Sequence, residues 1–82
     1  MINAGLSVTA RQIKDGRRLL DWSARELSEK VGVHLTTLQR IENSQEVFDK
    51  TSFGIIRSIF QVLEHHGIEF LSDGNVRRIH GP

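Results

Sequence analysis

Apolar residues recur at helical spacing through most of the chain and give way to alternation near its end. Thr9 with Gln12 three positions later is a capping-box pattern, in which each side chain caps the other's backbone N–H. It predicts a first helix over about 9–21, with Ala10, Ile13, Arg17 and Leu20 facing the core. Asp21-Trp22 breaks that run. Ser23 with Glu26 repeats the capping box and predicts a second helix over 24–31, with Leu27 and Val31 as its apolar edge. Gly32 suits the left-handed backbone on which helices end. A third helix over about 34–43 would bury Leu38 and Ile41 and stop near Asn43, whose short amide tolerates left-handed backbone. Residues 44–51 are polar and acidic and read as a loop. Ser52 can cap a fourth helix over about 52–66, which Gly67 ends. Its core stripe is expected to be Phe53, Ile56, Phe60 and Leu63, and a second apolar stripe runs through Ile55, Ile59 and Val62. Residues 68–79 read as strand, turn and strand, because Asp73-Gly74 between β-favouring runs is a strong hairpin signal. An isolated hairpin is marginal in water, so this one must pack on the helices or on a partner. The pattern predicts a mostly α fold, four helices with a C-terminal β-hairpin, as one domain over 1–82.

Composition narrows the function classes. A chain of 82 residues supports one modest core. It has no Cys, which removes disulfides, thiolate metal sites and thiol nucleophiles together. That accords with a reducing cytoplasm, the expected location, and the first residues lack the basic stretch and apolar core of a signal peptide. No apolar run approaches the roughly 20 residues of a membrane span, so no membrane partner is expected. Net charge is only +1, so charge alone does not announce a nucleic-acid binder. Its distribution is more suggestive, because Arg11, Lys14, Arg17 and Arg18 cluster early. His65 and His66 are adjacent and diverge by about 100° on a helix, so they chelate one ion poorly. His34, His65, His66 and His80 read as surface or capping residues, with no metal and no cofactor implied. Nothing resembles a nucleophile elbow or a phosphate-binding glycine loop, so no enzyme is expected.

The informative segment runs from Ala24 to Ile41. Two short helices can cross steeply only where the turn and the crossing point are small. Ser28 is small at the crossing, Gly32 makes the turn, and Val33 plugs the junction. The second helix of the pair then stands proud enough to enter a major groove about 12 Å wide.

Residues Trp22 to Asn43 resemble the helix-turn-helix of the XRE or Cro/repressor-like family, and the likeness extends over roughly residues 10 to 71. The framing pieces Arg17-Arg18-Leu19-Leu20-Asp21-Trp22 and Gly67-Ile68-Glu69-Phe70-Leu71 also resemble it. The resemblance implies a recognition helix over about 34–43, with Leu35, Thr36, Gln39 and Arg40 at the base edges. Gln pairs bidentately with adenine, Arg with guanine, and a Thr or Leu methyl meets the thymine methyl. It also implies that Arg17 and Glu42 form a structural ion pair between the first and third helices. Two departures bear on the DNA contacts. Ala24 stands where many relatives carry a phosphate-clamping Gln, so Ser23 or Arg25 is expected to take over that contact. Ser44 stands where relatives often carry Gly, so Asn43 or Ser44 must manage the turn.

The expectation is a sequence-specific, double-stranded-DNA-binding transcriptional regulator, a repressor acting as a homodimer on a near-palindromic operator. Arg11, Lys14, Arg18, Ser23, Arg25, His34 and Lys50 are candidates for phosphate contact, which supplies affinity without sequence choice. Candidate dimer residues are Ile55, Ile59 and Val62 on the last helix, and Phe70, Val76 and Ile79 on the hairpin. The same motif suits the antitoxin of a toxin–antitoxin pair, with a protein toxin docked on either surface. A protein-interaction module without DNA binding is the remaining alternative, favoured by the near-neutral charge and Ala24.

Overall fold

A computed structural model describes residues 8–79. The opening residues considered for a signal peptide, and His80, lie outside the described residues. Five helices precede a two-stranded antiparallel hairpin: α1 Ala10–Leu19, α2 Ala24–Val31, α3 Leu35–Asn43, α4 Gln45–Lys50, α5 Phe53–His65, β1 Ile68–Phe70 and β2 Val76–Arg78.

Local chemistry sets the first two helices. Both capping boxes form: the Thr9 hydroxyl accepts from the Gln12 N–H while Gln12 caps Thr9, and Ser23 and Glu26 do the same. Helix α1 ends at Leu19, earlier than the sequence pattern suggests, and Asp21 turns the chain with a φ of 60°. Gly32 adopts φ 88° at the α2–α3 turn, and nothing lies within 4 Å of where its Cβ would stand. Backbone conformation, not space, therefore calls for glycine there. Gly16 is the opposite case: a Cβ would lie 3.1 Å from Ile68 Cγ2, so glycine lets β1 approach α1.

The segment read as a loop contains α4. Ser44 has extended backbone and caps α4 by accepting from the Val47 N–H, so it ends one helix and starts the next. Asn43 keeps helical backbone, and the left-handed ending expected near it does not occur. Phe48 is the buried residue that fixes α4 to the core. The fold thus has five helices among the described residues, where periodicity suggested four. A six-residue helix with one buried anchor is too short to show a stripe.

Ile13, Leu27, Leu38, Ile41, Ile59, Leu63 and Ile68 form the centre of the core, all essentially without solvent access. The orientation of α5 departs from the expectation. Ile59, assigned to a dimer surface, is fully buried, while Phe53, assigned to the core, is 66% exposed. Ile55, Ile56, Phe60 and Val62 are half-buried along the edges. The apolar arc of α5 covers about half the helix, and packing against α1, α2 and β1 centres it on Ile59 and Leu63.

The hairpin pairs Ile68 with Arg78, Glu69 with Arg77 and Phe70 with Val76. Gly74, with φ 93°, makes the turn, and Asp73 accepts from the Asn75 N–H and amide, which lowers the Asp73 pKa. What holds it to the helices is Gln12, fully buried on α1. Gln12 Nε2 donates to the carbonyls of Leu71 and Asn75, both at 3.0 Å, and its Oε1 accepts from the Thr9 N–H at 2.9 Å. A Gln12→Leu substitution removes all three bonds while keeping the volume. Each buried group left unpaired costs about 1–3 kcal/mol, so urea unfolding is expected to show a loss of at least about 2 kcal/mol. Amide exchange should accelerate first at Leu71.

Candidate nucleic-acid interface

Helix α3 is held along one side. Leu38 and Ile41 lie in the core, and the Glu42 carboxylate is buried beside them. Arg17 grips that carboxylate along one edge of its guanidinium, Nε to Oε2 at 2.9 Å and a terminal nitrogen to Oε1 at 3.0 Å. Its other terminal nitrogen donates to the Trp22 carbonyl at 2.9 Å. One side chain therefore ties α1, the α1–α2 link and α3 together. The planar fork suits this task better than a lysine ammonium would. Ser28, 3% exposed, sits at the α2–α3 crossing, and its carbonyl accepts from both Gly32 and Val33 to close the turn.

The opposite side of α3 is open. Thr36, Gln39, Arg40 and Asn43 recur at spacing 3, 1 and 3, and all are exposed. With Ser44 and Val47 they border a depression of about 330 Å³. Arg40 is shared with an adjoining depression of about 250 Å³, lined also by Thr37, Val47, Lys50 and Thr51. Three of the base-reading candidates, Thr36, Gln39 and Arg40, are therefore brought together, and Leu35 is half-buried at the first helical position. Thr37, Asn43 and Ser44 join this surface, although the sequence pattern assigns Asn43 and Ser44 only the turn after the helix and Thr37 no role. The helical spacing from Thr36 to Asn43 was the available signal for Asn43; Ser44 and Thr37 depend on where α4 lies.

The helix N-termini differ. His34 begins α3 without a side-chain cap, and the first turn carries no acid. The N–H groups of Leu35, Thr36 and Thr37 have no described acceptor, so they can meet an anion. At α2, by contrast, Glu26 caps Ser23 at 2.7 Å, and hydrogen bonds from Ser23 lower its pKa. A fixed carboxylate there opposes phosphate. Ser23 is thus already engaged in its capping box, while Arg25 is exposed beside it. Because the Glu26 pKa is depressed by folding, the stability this cap contributes is fully present above the ordinary carboxylate range and is lost as pH falls through the lowered pKa.

The other basic candidates lie apart. Arg11 pairs with Asp15 across one helical turn at 3.6 Å. Arg18 lines a depression beside Asp15, Leu19, Asn75 and Val76, on the hairpin flank of α1. Lys14 lies on the same outer stripe, half-exposed. Lys50 borders the α3 surface and pairs with Glu46 at 3.2 Å, an exposed contact of little energetic weight. Trp22 packs against the Lys30 ammonium, 4.9 Å from its ring, and the His66 ring, and borders neither depression along α3. Among the described residues no cluster of His, Asp or Glu is arranged to hold a metal, and no helix is long and apolar enough to cross a membrane.

Comparison with protein-family models matches residues 13–62 to the family described as helix-turn-helix. The chain belongs to the XRE/Cro-type helix-turn-helix family. Comparisons with curated proteins and with solved structures give no match. The matched segment of this helix-turn-helix protein contains α2, α3 and the Arg17–Glu42 pair, and points to a DNA-binding transcription regulator.

Removing one partner of a buried pair strands a charge. Arg17→Ala is expected to cost about 3–5 kcal/mol in denaturant unfolding, and the Arg17→Met/Glu42→Leu double variant markedly less. DNA binding by the double variant should still fall, because α3 is no longer held in one orientation.

Proposed function

We propose that the chain acts as a single domain that represses transcription by occupying a near-palindromic operator as a homodimer, within the cytoplasm. The observation that carries the reading is the exposed row Thr36, Gln39, Arg40 and Asn43 on a helix whose opposite side is fixed by Arg17. In this reading Gln39 and Arg40 make the hydrogen-bonding base contacts, and the Leu35 and Thr36 methyl groups meet thymine. The open amides of α3, His34, Arg25 and Lys50 contact phosphate. Arg11, Lys14 and Arg18 belong to a second, more distant ring of attraction, since Arg18 sits on the hairpin flank. Two copies related by a two-fold axis would set their recognition helices about 34 Å apart.

Fluorescence anisotropy against the DNA upstream of the protein's own gene, beside a scrambled duplex, tests this over a salt series. A preference of about a thousandfold or more is expected for the operator. Gln39→Ala should cost about 1–3 kcal/mol and relax base choice at its position, whereas Lys50→Ala should weaken both duplexes alike and reduce the salt slope by about 1. Absence of binding at low salt would remove the DNA reading.

A further inference from the structure

Helix α5 carries more apolar surface than the core uses. Phe53 is 66% exposed, and with Val8, Ile56, Phe60 and Phe70 it borders a shallow groove of about 220 Å³. Phe60 stands edge-on to Phe70 at 4.5 Å and to Phe48 at 6.4 Å, so the floor is a packed aromatic surface. Arg57 and Glu64 form its exposed polar rim. Val8, the first described residue, is half-buried at this groove and packs against the core.

The chain that precedes Val8 has the pattern to fill the rest. Ile2, Ala4, Leu6 and Val8 are apolar and alternate with Asn3, Gly5 and Ser7. A period of two places all four on one face of an extended backbone, which helical spacing does not. The entry into α1 agrees with this. Thr9 has extended backbone, φ −133° and ψ 163°, and its capping box fixes the start of the helix. Gln45 Oε1 accepts from the Ala10 N–H at 2.9 Å and ties that start to α4. Length suffices as well. At about 3.3 Å per residue, the six steps back from Val8 to Ile2 span roughly 20 Å. Phe53 to Phe60 covers only about 10 Å of α5. Residues 1–7 carry no charged side chain, so they can cross a rim of both signs without burying an unpaired charge. So short a strip would bind weakly as a free peptide, but attached at Val8 it faces the groove at an effective concentration on the order of millimolar. That favours it over a partner in trans.

We propose that residues 2–7 lie extended along this groove as a strap, with Ile2, Ala4 and Leu6 turned onto the Phe53, Ile56 and Phe60 side chains. The strap covers in cis the apolar surface that α5 leaves outside the core. It requires neither DNA nor a second copy, so it stands apart from the reading of function above. The groove shares no lining residue with the two depressions along α3, so a strap seated in it leaves the α3 row uncovered.

Nuclear magnetic resonance on the full chain, labelled at the Ile and Leu methyl groups, tests it without any variant. Nuclear Overhauser contacts are expected from the Leu6 methyls to the Phe53 or Phe60 ring. Isotope-filtered spectra of labelled chain mixed with unlabelled chain should lack those contacts, because they arise within one chain. A second readout uses the apolar dye anilinonaphthalene sulfonate. Leu6→Asp puts a carboxylate where the groove is apolar and should free the strap, so dye fluorescence should rise at least about threefold over wild type. Leu6 lies outside the described helices and strands, and circular dichroism should show unchanged helix content. Leu6 methyls without contact to α5 overturn the proposal. Contacts that appear in the filtered mixture also overturn it, and hand the groove to the same segment of another copy. Dye fluorescence indifferent to Leu6→Asp overturns it as well, since the groove would then be open in the wild type.

Discussion

Helix α3 must be held in one orientation while one of its sides stays bare. Leu38 and Ile41 supply adhesion, but apolar contacts alone permit a helix to roll. The Arg17–Glu42 pair removes that freedom, because a planar fork meeting a carboxylate at two points has one geometry. Burial makes the pair expensive to form, and its contribution lies in orientation more than in net stability. The additional bond to the Trp22 carbonyl extends this constraint to the link between α1 and α2. The helix-turn-helix is therefore positioned from outside itself, by a residue of the preceding helix.

The rest of the chain supports α3 without covering it. Helix α4 follows directly through Ser44 and is pinned by Phe48, which places Val47, Lys50 and Thr51 along one flank of the α3 surface. The hairpin is latched to α1 by Gln12 and packs through Ile68 beneath Gly16. Packing against α1, α2 and β1 leaves α5 with an apolar arc that the core fills only in part. The exposed Phe53 and half-buried Phe60 are consequences of that arrangement.

Low net charge is consistent with this design. Arg40 and Lys50 converge beside α3, whose N-terminus is uncapped and carries no acid in its first turn; Lys50 with Glu46, like Arg11 with Asp15, makes only an exposed i,i+4 pair. Local field at the contact surface is set by these placements and not by the sum over the chain. The carboxylate of Glu26 at the start of α2 makes the two helix ends of the motif unequal, and favours α3 for anion contact.

The sequence by itself determined the features whose causes lie within a few residues. Both capping boxes, the Gly32 turn, the Asp73-Gly74 hairpin and the apolar pair Leu38 and Ile41 are local in this sense, and the helix-turn-helix was legible from them. Arg17 with Glu42 was legible only through the resemblance to a family, since nothing local links positions so far apart. Tertiary structure decided the rest. Gln45 to Lys50 form a helix because Phe48 finds a site in the core, which a short polar segment cannot announce. The apolar arc of α5 is broad enough to face inward along either stripe, and only contact with α1, α2 and β1 selects Ile59 and Leu63 over Phe53. Gln12, a polar residue by composition, is fully buried because two hairpin carbonyls near the other end of the chain need its amide. Periodicity reports which residues share a face; which way that face turns depends on neighbours that the chain brings together only when it folds.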